Sequence, residues 1–109
     1  MPATFDAVIR IPQRLAALSC PASAFAVIYG KRSAAYLSKI FQGNARLHGD
    51  EALEMLALLD ELEALRDAFP QIPIDFSNGL GIRRALELRR DGAEDHFISY
   101  ELSELRAGL

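Results

Sequence analysis

The longest amphipathic pattern in the sequence covers residues 51–69. Leucine, methionine and phenylalanine recur there at steps of three and four residues, with acidic residues between them. That spacing is typical of one face of an α-helix. Asp50 precedes the pattern and Pro70 follows it, so we predict a helix that begins near Asp50 and ends before Pro70.

Three shorter helices are predicted upstream of this segment. Pro12–Ser19 has apolar residues at helical spacing and a proline suited to a first turn. Pro21–Tyr29 forms the second helix, and Gly30 is a typical residue for its C-terminal end. The third helix is Ala34–Gln42, with Ser33 as its N-cap and a glycine directly after it.

The C-terminal part is less regular. Residues 71–76 lie between prolines and are predicted to be extended, and residues 77–79 are predicted to form a turn or cap before a helix over residues 80–90. Residues 96–102 fit either a strand or a further helix. The prediction is therefore an all-α fold of about five helices, with a short C-terminal strand as the alternative.

The pair of helices over residues 22–43 has the features of a helix-turn-helix. Such a motif needs a small residue in the first helix, a turn that tolerates a left-handed residue, and an apolar residue in the second helix. Ala26, Gly30 and Leu37 meet these three requirements in that order. A helix-turn-helix is therefore predicted here.

These residues resemble the lambda-repressor/Cro-like helix-turn-helix family over about residues 10–65. The resemblance depends on Ala26 four residues before Gly30, on the run Leu37-Ser38-Lys39-Ile40, and on the closing Gly43. Two features depart from the family pattern. The stretch from Gly30 to Ser38 is one residue longer than usual, and Ala22 stands where a polar residue is expected.

In such a fold the second helix enters the major groove of DNA by its N-terminal half. The groove-facing candidates include Lys39, whose ammonium suits guanine, and two alanine methyl groups that suit thymine. Phosphate contacts are expected from residues that flank the helix. The candidate DNA-binding residues are Lys31, Arg32, Ser33, Ala34, Ala35, Tyr36, Ser38, Lys39, Asn44 and Arg46.

The charge is distributed unevenly along the chain. The net charge is −3, but residues 1–49 hold six lysines and arginines against one acid, whereas residues 50–109 hold six arginines against fourteen acids. The N-terminal part therefore carries +5 and the C-terminal part −8. A positive field over the predicted helix-turn-helix is compatible with nucleic-acid binding.

Other kinds of site find little support in the sequence. The single Cys20 excludes an internal disulfide, and the two histidines lack partners at metal-ligand spacing. No nucleophile–base pattern or phosphate-binding loop is present, so neither an enzyme nor a cofactor or metal site is expected. No apolar stretch of 18 residues occurs, and we expect a cytoplasmic protein without a membrane segment.

Together these observations predict a sequence-specific double-stranded DNA-binding transcriptional regulator, of the phage or mobile-element repressor type that the resemblance implies. Residues 1–69 would form the DNA-binding region, and residues 70–109 would be an extension within the same compact domain. A homodimer is expected, with this extension as the dimer contact. The alternative is a protein–protein module (an antitoxin, an adaptor or an inhibitor) that binds a partner through its acidic C-terminal half.

Overall fold

Six α-helices make up the chain in a computed structural model that describes the backbone of residues 2–107 and the side chains of residues 8–105. The all-α class predicted from the sequence is confirmed, with one helix more than the predicted five. The helices are α1 (Pro2–Ala17), α2 (Ala22–Tyr29), α3 (Ala34–Phe41), α4 (Gly49–Ala68), α5 (Gly79–Arg90) and α6 (Asp95–Ala107).

The alternative of a C-terminal strand is wrong, because residues 95–107 form α6 and residues 2–107 contain no strand. Ile98, Leu102 and Leu105 are buried, and their spacing of four and three residues is helical. Phe97 and Tyr100, which made the segment look apolar on both faces, are 55% and 64% exposed. The pattern was therefore ambiguous because two large aromatic residues lie outside the core.

The predicted start of the first helix at Pro12 is also wrong, because α1 begins at Pro2 and Pro12 lies in its interior. An interior proline removes one backbone hydrogen bond and usually costs helix stability. Here Ile11 and Leu15, on either side of it, are buried where α1 packs against α4. This packing holds the helix continuous through the proline.

The core is apolar throughout, with no buried polar or charged residue among the described side chains. α2 is the central element, since it packs against both α3 and α5. The fully buried Phe25 of α2 stacks on Tyr29 with ring centroids 6.4 Å apart. α1 packs on α4, and α6 packs mainly on α5.

Local sequence signals determine the ends of several helices. Gly30 has a left-handed backbone with φ +78°, and its N–H donates to the Ala26 carbonyl at 2.8 Å. Asn78 caps α5 by accepting a hydrogen bond from the Gly81 N–H at 3.1 Å. These two predicted ends are confirmed.

The contact between α2 and α5 depends on the absence of a side chain at Gly79. A Cβ atom at this position would lie 2.8 Å from the Ala24 carbonyl oxygen and 2.9 Å from the Val27 Cβ. Both distances are shorter than van der Waals contact. Gly79 therefore sets how closely α5 approaches α2.

Ion pairs connect α4 to α1 and α5. Arg14 of α1 donates to both carboxylate oxygens of Glu63, from Nε at 3.0 Å and from Nη2 at 2.7 Å. Its Nη2 also donates to Asp60 at 2.7 Å. Arg90 of α5 makes the same two-point contact with Glu61, at 2.8 Å for each hydrogen bond.

The Arg14–Glu63 pair predicts a loss of stability in acid. Hydrogen bonds from Arg14 hold the pKa of Glu63 below its ordinary value. The stabilisation, about 1 kcal/mol for such a pair, is therefore complete above the unfolded-state pKa of about 4.3 and is lost as the pH falls through the folded-state pKa. Urea unfolding across this range should show a smaller acid-induced loss for Glu63→Gln than for the wild type. Glu104→Gln, on the exposed side of α6, should keep the wild-type profile; equal profiles for all three proteins would contradict the assignment.

Among the described residues no single helix is both long and apolar enough to cross a membrane, and only Val8–Ala17 together with Ala22–Tyr29 reach that length and composition, bent by 105°.

Candidate nucleic-acid interface

The helix predicted to contact DNA is α3, and apolar anchors hold it on the core. Leu37 and Ile40 are fully buried against the neighbouring helices. At its N-terminus the Ser33 hydroxyl accepts a hydrogen bond from the Tyr36 N–H at 3.1 Å, as an N-cap does. The four residues 30–33 join α3 to α2. The orientation of α3 is thus fixed by its buried face and its cap.

Opposite the buried face, α3 presents a row of residues that we call the outward stripe: Ala35, Ser38, Lys39 and Gln42. Ala35, Lys39 and Gln42 are exposed, and Ser38 is half-buried. The stripe combines a small apolar group, a hydroxyl, an ammonium and an amide. These are groups that can contact base edges in a major groove.

The cations on and after α3 are accessible. The Lys39 and Arg46 side chains are exposed, and neither forms an ion pair with any residue that the structure describes. The Tyr36 hydroxyl donates to the Arg46 carbonyl at 3.5 Å, which ties the following loop to α3. Asn44 lies in the same loop and is also exposed. Lys39 and Arg46 therefore have cationic groups without an acidic partner among the described residues, and such groups can meet a polyanion.

The two cations before α3 have different surroundings, because carboxylates of α4 neutralise them. Lys31 pairs with Glu54, and Arg32 Nε donates to Glu51 Oε1 at 2.5 Å. Arg32 also lies over the Tyr36 ring, with its guanidinium carbon 4.6 Å from the ring centroid. The side chain of Glu51 is only 14% exposed, so the partner of Arg32 is held firmly.

The ion pair between Lys31 and Glu54 persists across the neutral pH range. The Lys31 ammonium and the Tyr29 hydroxyl, which donates at 3.0 Å, hold the pKa of Glu54 below its usual value. Burial, together with the nearby Glu54, raises the pKa of Tyr29, so its hydroxyl remains a donor. Glu54 consequently stays ionised and keeps Lys31 neutralised.

The ten predicted residues thus fall into separate groups. Ala35, Ser38 and Lys39 share the outward stripe, while Asn44 and Arg46 lie in the loop beyond it. Lys31 and Arg32 are engaged by α4, Ser33 is a cap, and Ala34 and Tyr36 are half-buried on the flanks of α3.

One residue of the stripe, Gln42, was missed in the sequence. It follows Ala35 by seven residues and Lys39 by three, a spacing that places all three on one helical face. Its side-chain oxygen accepts from Asn44 Nδ2 at 3.5 Å. The helical period of α3 could have identified Gln42. It was not predicted because the expected contacts lie in the N-terminal half of the helix, whereas Gln42 is the C-cap.

A second basic element lies beside this region. α5 holds four arginines against one glutamate, although it belongs to the acidic part of the chain. Arg83 of α5 lies against the turn at Gly30. The net charge of residues 50–109 does not reveal this basic helix, because the acids of α4 and α6 dominate the total.

An apolar groove and a buried thiol lie at the junction of α1 and α2. An apolar groove of about 410 Å³ runs between α1 and the start of α2, lined by Pro12, Leu15 and Phe41 among others. Cys20 lies in this groove, and burial raises the pKa of its thiol to about 11, so it is protonated at neutral pH. Within the described residues no three histidine, cysteine or acidic side chains are grouped as a metal site would need.

Comparison with protein-family models, with curated proteins and with solved structures gives no match to this chain.

Proposed function

We propose that the protein is a transcriptional regulator that binds a specific double-stranded DNA sequence through the helix-turn-helix formed by α2 and α3. The type suggested by the sequence resemblance is a repressor of phage or mobile-element origin. In this proposal the outward stripe enters the major groove, and Asn44 and Arg46 hold phosphates beside it. The protein acts as a dimer in the cytoplasm.

The observation that carries the proposal is the contrast between the two faces of α3. Leu37 and Ile40 are fully buried, while Ala35 and Lys39 are exposed on the opposite side. Lys39 forms no ion pair within the described residues, although acids are abundant elsewhere in the chain. A helix anchored on its apolar face with an unpaired cation on the other is suited to reading base edges.

A dimer would place two such helices in successive major grooves, about 34 Å apart. The exposed Phe97 and Tyr100 on α6 are the strongest apolar candidates for the contact between protomers. Ile98 and Leu102, which share that segment, are buried within the protomer itself. Within α6, the residues of the outer face are therefore the ones available for pairing.

Salt-dependent binding to fluorescent genomic DNA fragments tests the proposal. For Arg46→Ala we expect weaker binding to every sequence and a salt slope shallower by about 1, because one phosphate contact is lost. For Lys39→Ala we expect relaxed sequence preference, because a base contact is lost. Two protomers per bound operator are expected in the same titrations.

Arg66→Ala provides the matched control, since Arg66 is an exposed arginine in the last turn of the acidic α4. It changes the net charge as Arg46→Ala does and should have a smaller effect on binding. A wild-type protein that fails to bind DNA at low salt would rule out the proposal.

The second candidate is a protein–protein module without DNA binding. The observation that favours it is the neutralisation of Lys31 and Arg32 by Glu54 and Glu51, which removes two cations from the turn. The double variant Glu51→Gln/Glu54→Gln separates the two functions. Stronger DNA binding by this variant supports a regulator, whereas absence of binding in both it and the wild type supports the protein–protein module.

A further inference from the structure

A cation from the C-terminal part of the chain lies against the turn between α2 and α3. A Cβ atom added to Gly30 would meet three atoms of the Arg83 guanidinium at nearly equal distances, 3.7 Å to Nη1, 3.7 Å to Nη2 and 3.8 Å to Cζ. Equal distances mean that the flat face of the guanidinium is turned toward Gly30. α5 thus places an arginine beside the C-cap of α2, at the start of the turn that leads to α3.

Arg83 is held less firmly than Arg32 of the turn. Its Nε lies 3.4 Å from Oε1 of Glu87, one helical turn along α5, and the two side chains are 50% and 57% exposed. Exposed ion pairs of this kind contribute little stability, so another anion can easily replace the glutamate as the partner of the arginine. Arg32 is instead paired with Glu51 of α4, whose side chain is only 14% exposed.

We propose that Arg83 binds a DNA phosphate beside the α2–α3 turn, in the role that the sequence assigned to Lys31 and Arg32. The inference rests on the proposed function. The Nη atoms of Arg83 lie at the outer end of its side chain, and a guanidinium can donate two parallel hydrogen bonds to a phosphate. The excess of arginine over acid in α5 favours a polyanion at this position. The phosphate replaces Glu87 as the partner of Arg83.

The test compares Arg83→Ala with Arg84→Ala on a fluorescent duplex of mixed sequence, titrated with salt. Both residues are exposed and adjacent on α5, and both variants remove one positive charge. For Arg83→Ala we expect affinity to fall several-fold at low salt and the salt slope to become shallower by about 1. Arg84→Ala should change both quantities less, and Glu87→Gln should strengthen binding because it releases Arg83.

The outcomes separate this inference from the proposed function. Equal effects of Arg83→Ala and Arg84→Ala would overturn the role of Arg83 while leaving DNA binding intact, provided Arg46→Ala still weakens it. A wild-type protein that does not bind the duplex would overturn both. Thermal unfolding of each variant verifies that the fold is kept, and partial rescue by Arg83→Lys supports a charge contact at this place.

Discussion

Replacing Leu37 with alanine is expected to lower the free energy of unfolding by about 3 kcal/mol. Leu37 is fully buried where α3 packs on α1 and α2, so the substitution removes apolar contacts and leaves a cavity. A loss of this size should reduce Tm by about 10 °C or more in a domain of this length. Urea unfolding followed by circular dichroism measures the change directly.

Leu53→Ala is the matched control, because it makes the same chemical change on a helix where the side chain is 67% exposed. Its expected effect is within about 0.5 kcal/mol, as for most surface substitutions. If the two variants unfolded at the same urea concentration, α3 would not be anchored as described. DNA binding by Leu37→Ala should also fall, since the outward stripe depends on the same anchor.

Gly79→Ala is expected to destabilise the protein by about 2 kcal/mol. The added methyl group would overlap the Ala24 carbonyl oxygen and the Val27 Cβ, so α5 must move away from α2. Overpacking of this kind costs about 1 to 3 kcal/mol. The clash involves backbone as well as a side chain, so rotation of one side chain cannot relieve it. Thermal and urea unfolding both measure the loss.

Gly49→Ala tests whether the loss of stability in Gly79→Ala comes from the steric clash with α2 or from replacing any glycine at the start of a helix. Gly49 is the first residue of α4, as Gly79 is of α5, but a Cβ atom there meets nothing within 4 Å. Alanine should therefore be neutral or stabilise by up to about 0.5 kcal/mol. A similar loss of stability at both positions would refute the close approach of α5 to α2.

The helix ends could be predicted because they depend on a few neighbouring residues. Gly30, Ser33 and Asn78 each act through their own backbone or through a side chain that reaches three residues along the chain. The start of α1 was missed because proline usually occupies a first turn, whereas Pro12 is tolerated through packing on α4. That packing joins segments far apart in sequence, and no local pattern encodes it.

The candidate site was only partly predictable for the same reason. The exposed face of α3 follows from the period of its buried residues, so Ala35 and Lys39 could be identified. The neutralisation of Lys31 and Arg32 could not, because Glu51 and Glu54 reach them only when α4 packs across the fold. The position of Arg83 beside Gly30 could not be predicted either, because it depends on the packing of α5 on α2.

The apolar face of α4 is almost uniform, and this leaves its position along the core weakly determined. A shift of three residues, about 4.5 Å along the axis, would replace Leu58, Leu62 and Leu65 with Met55, Leu59 and Leu62. At these three positions the core would still meet leucine or methionine. Such near-equivalence is how leucine-rich cores come to populate several packing arrangements.

The ion pairs of α4 differ in how far they remove that ambiguity. Arg14 and Arg90 project from two different helices, and each meets both oxygens of one glutamate, Glu63 and Glu61 respectively. A three-residue shift of this kind would bring Asp60 to Arg14 in place of Glu63, so Arg14 would keep a carboxylate. It would place Leu58 opposite Arg90, whose guanidinium would lose its partner. The Arg90–Glu61 pair therefore helps to specify one register for an otherwise repetitive helix.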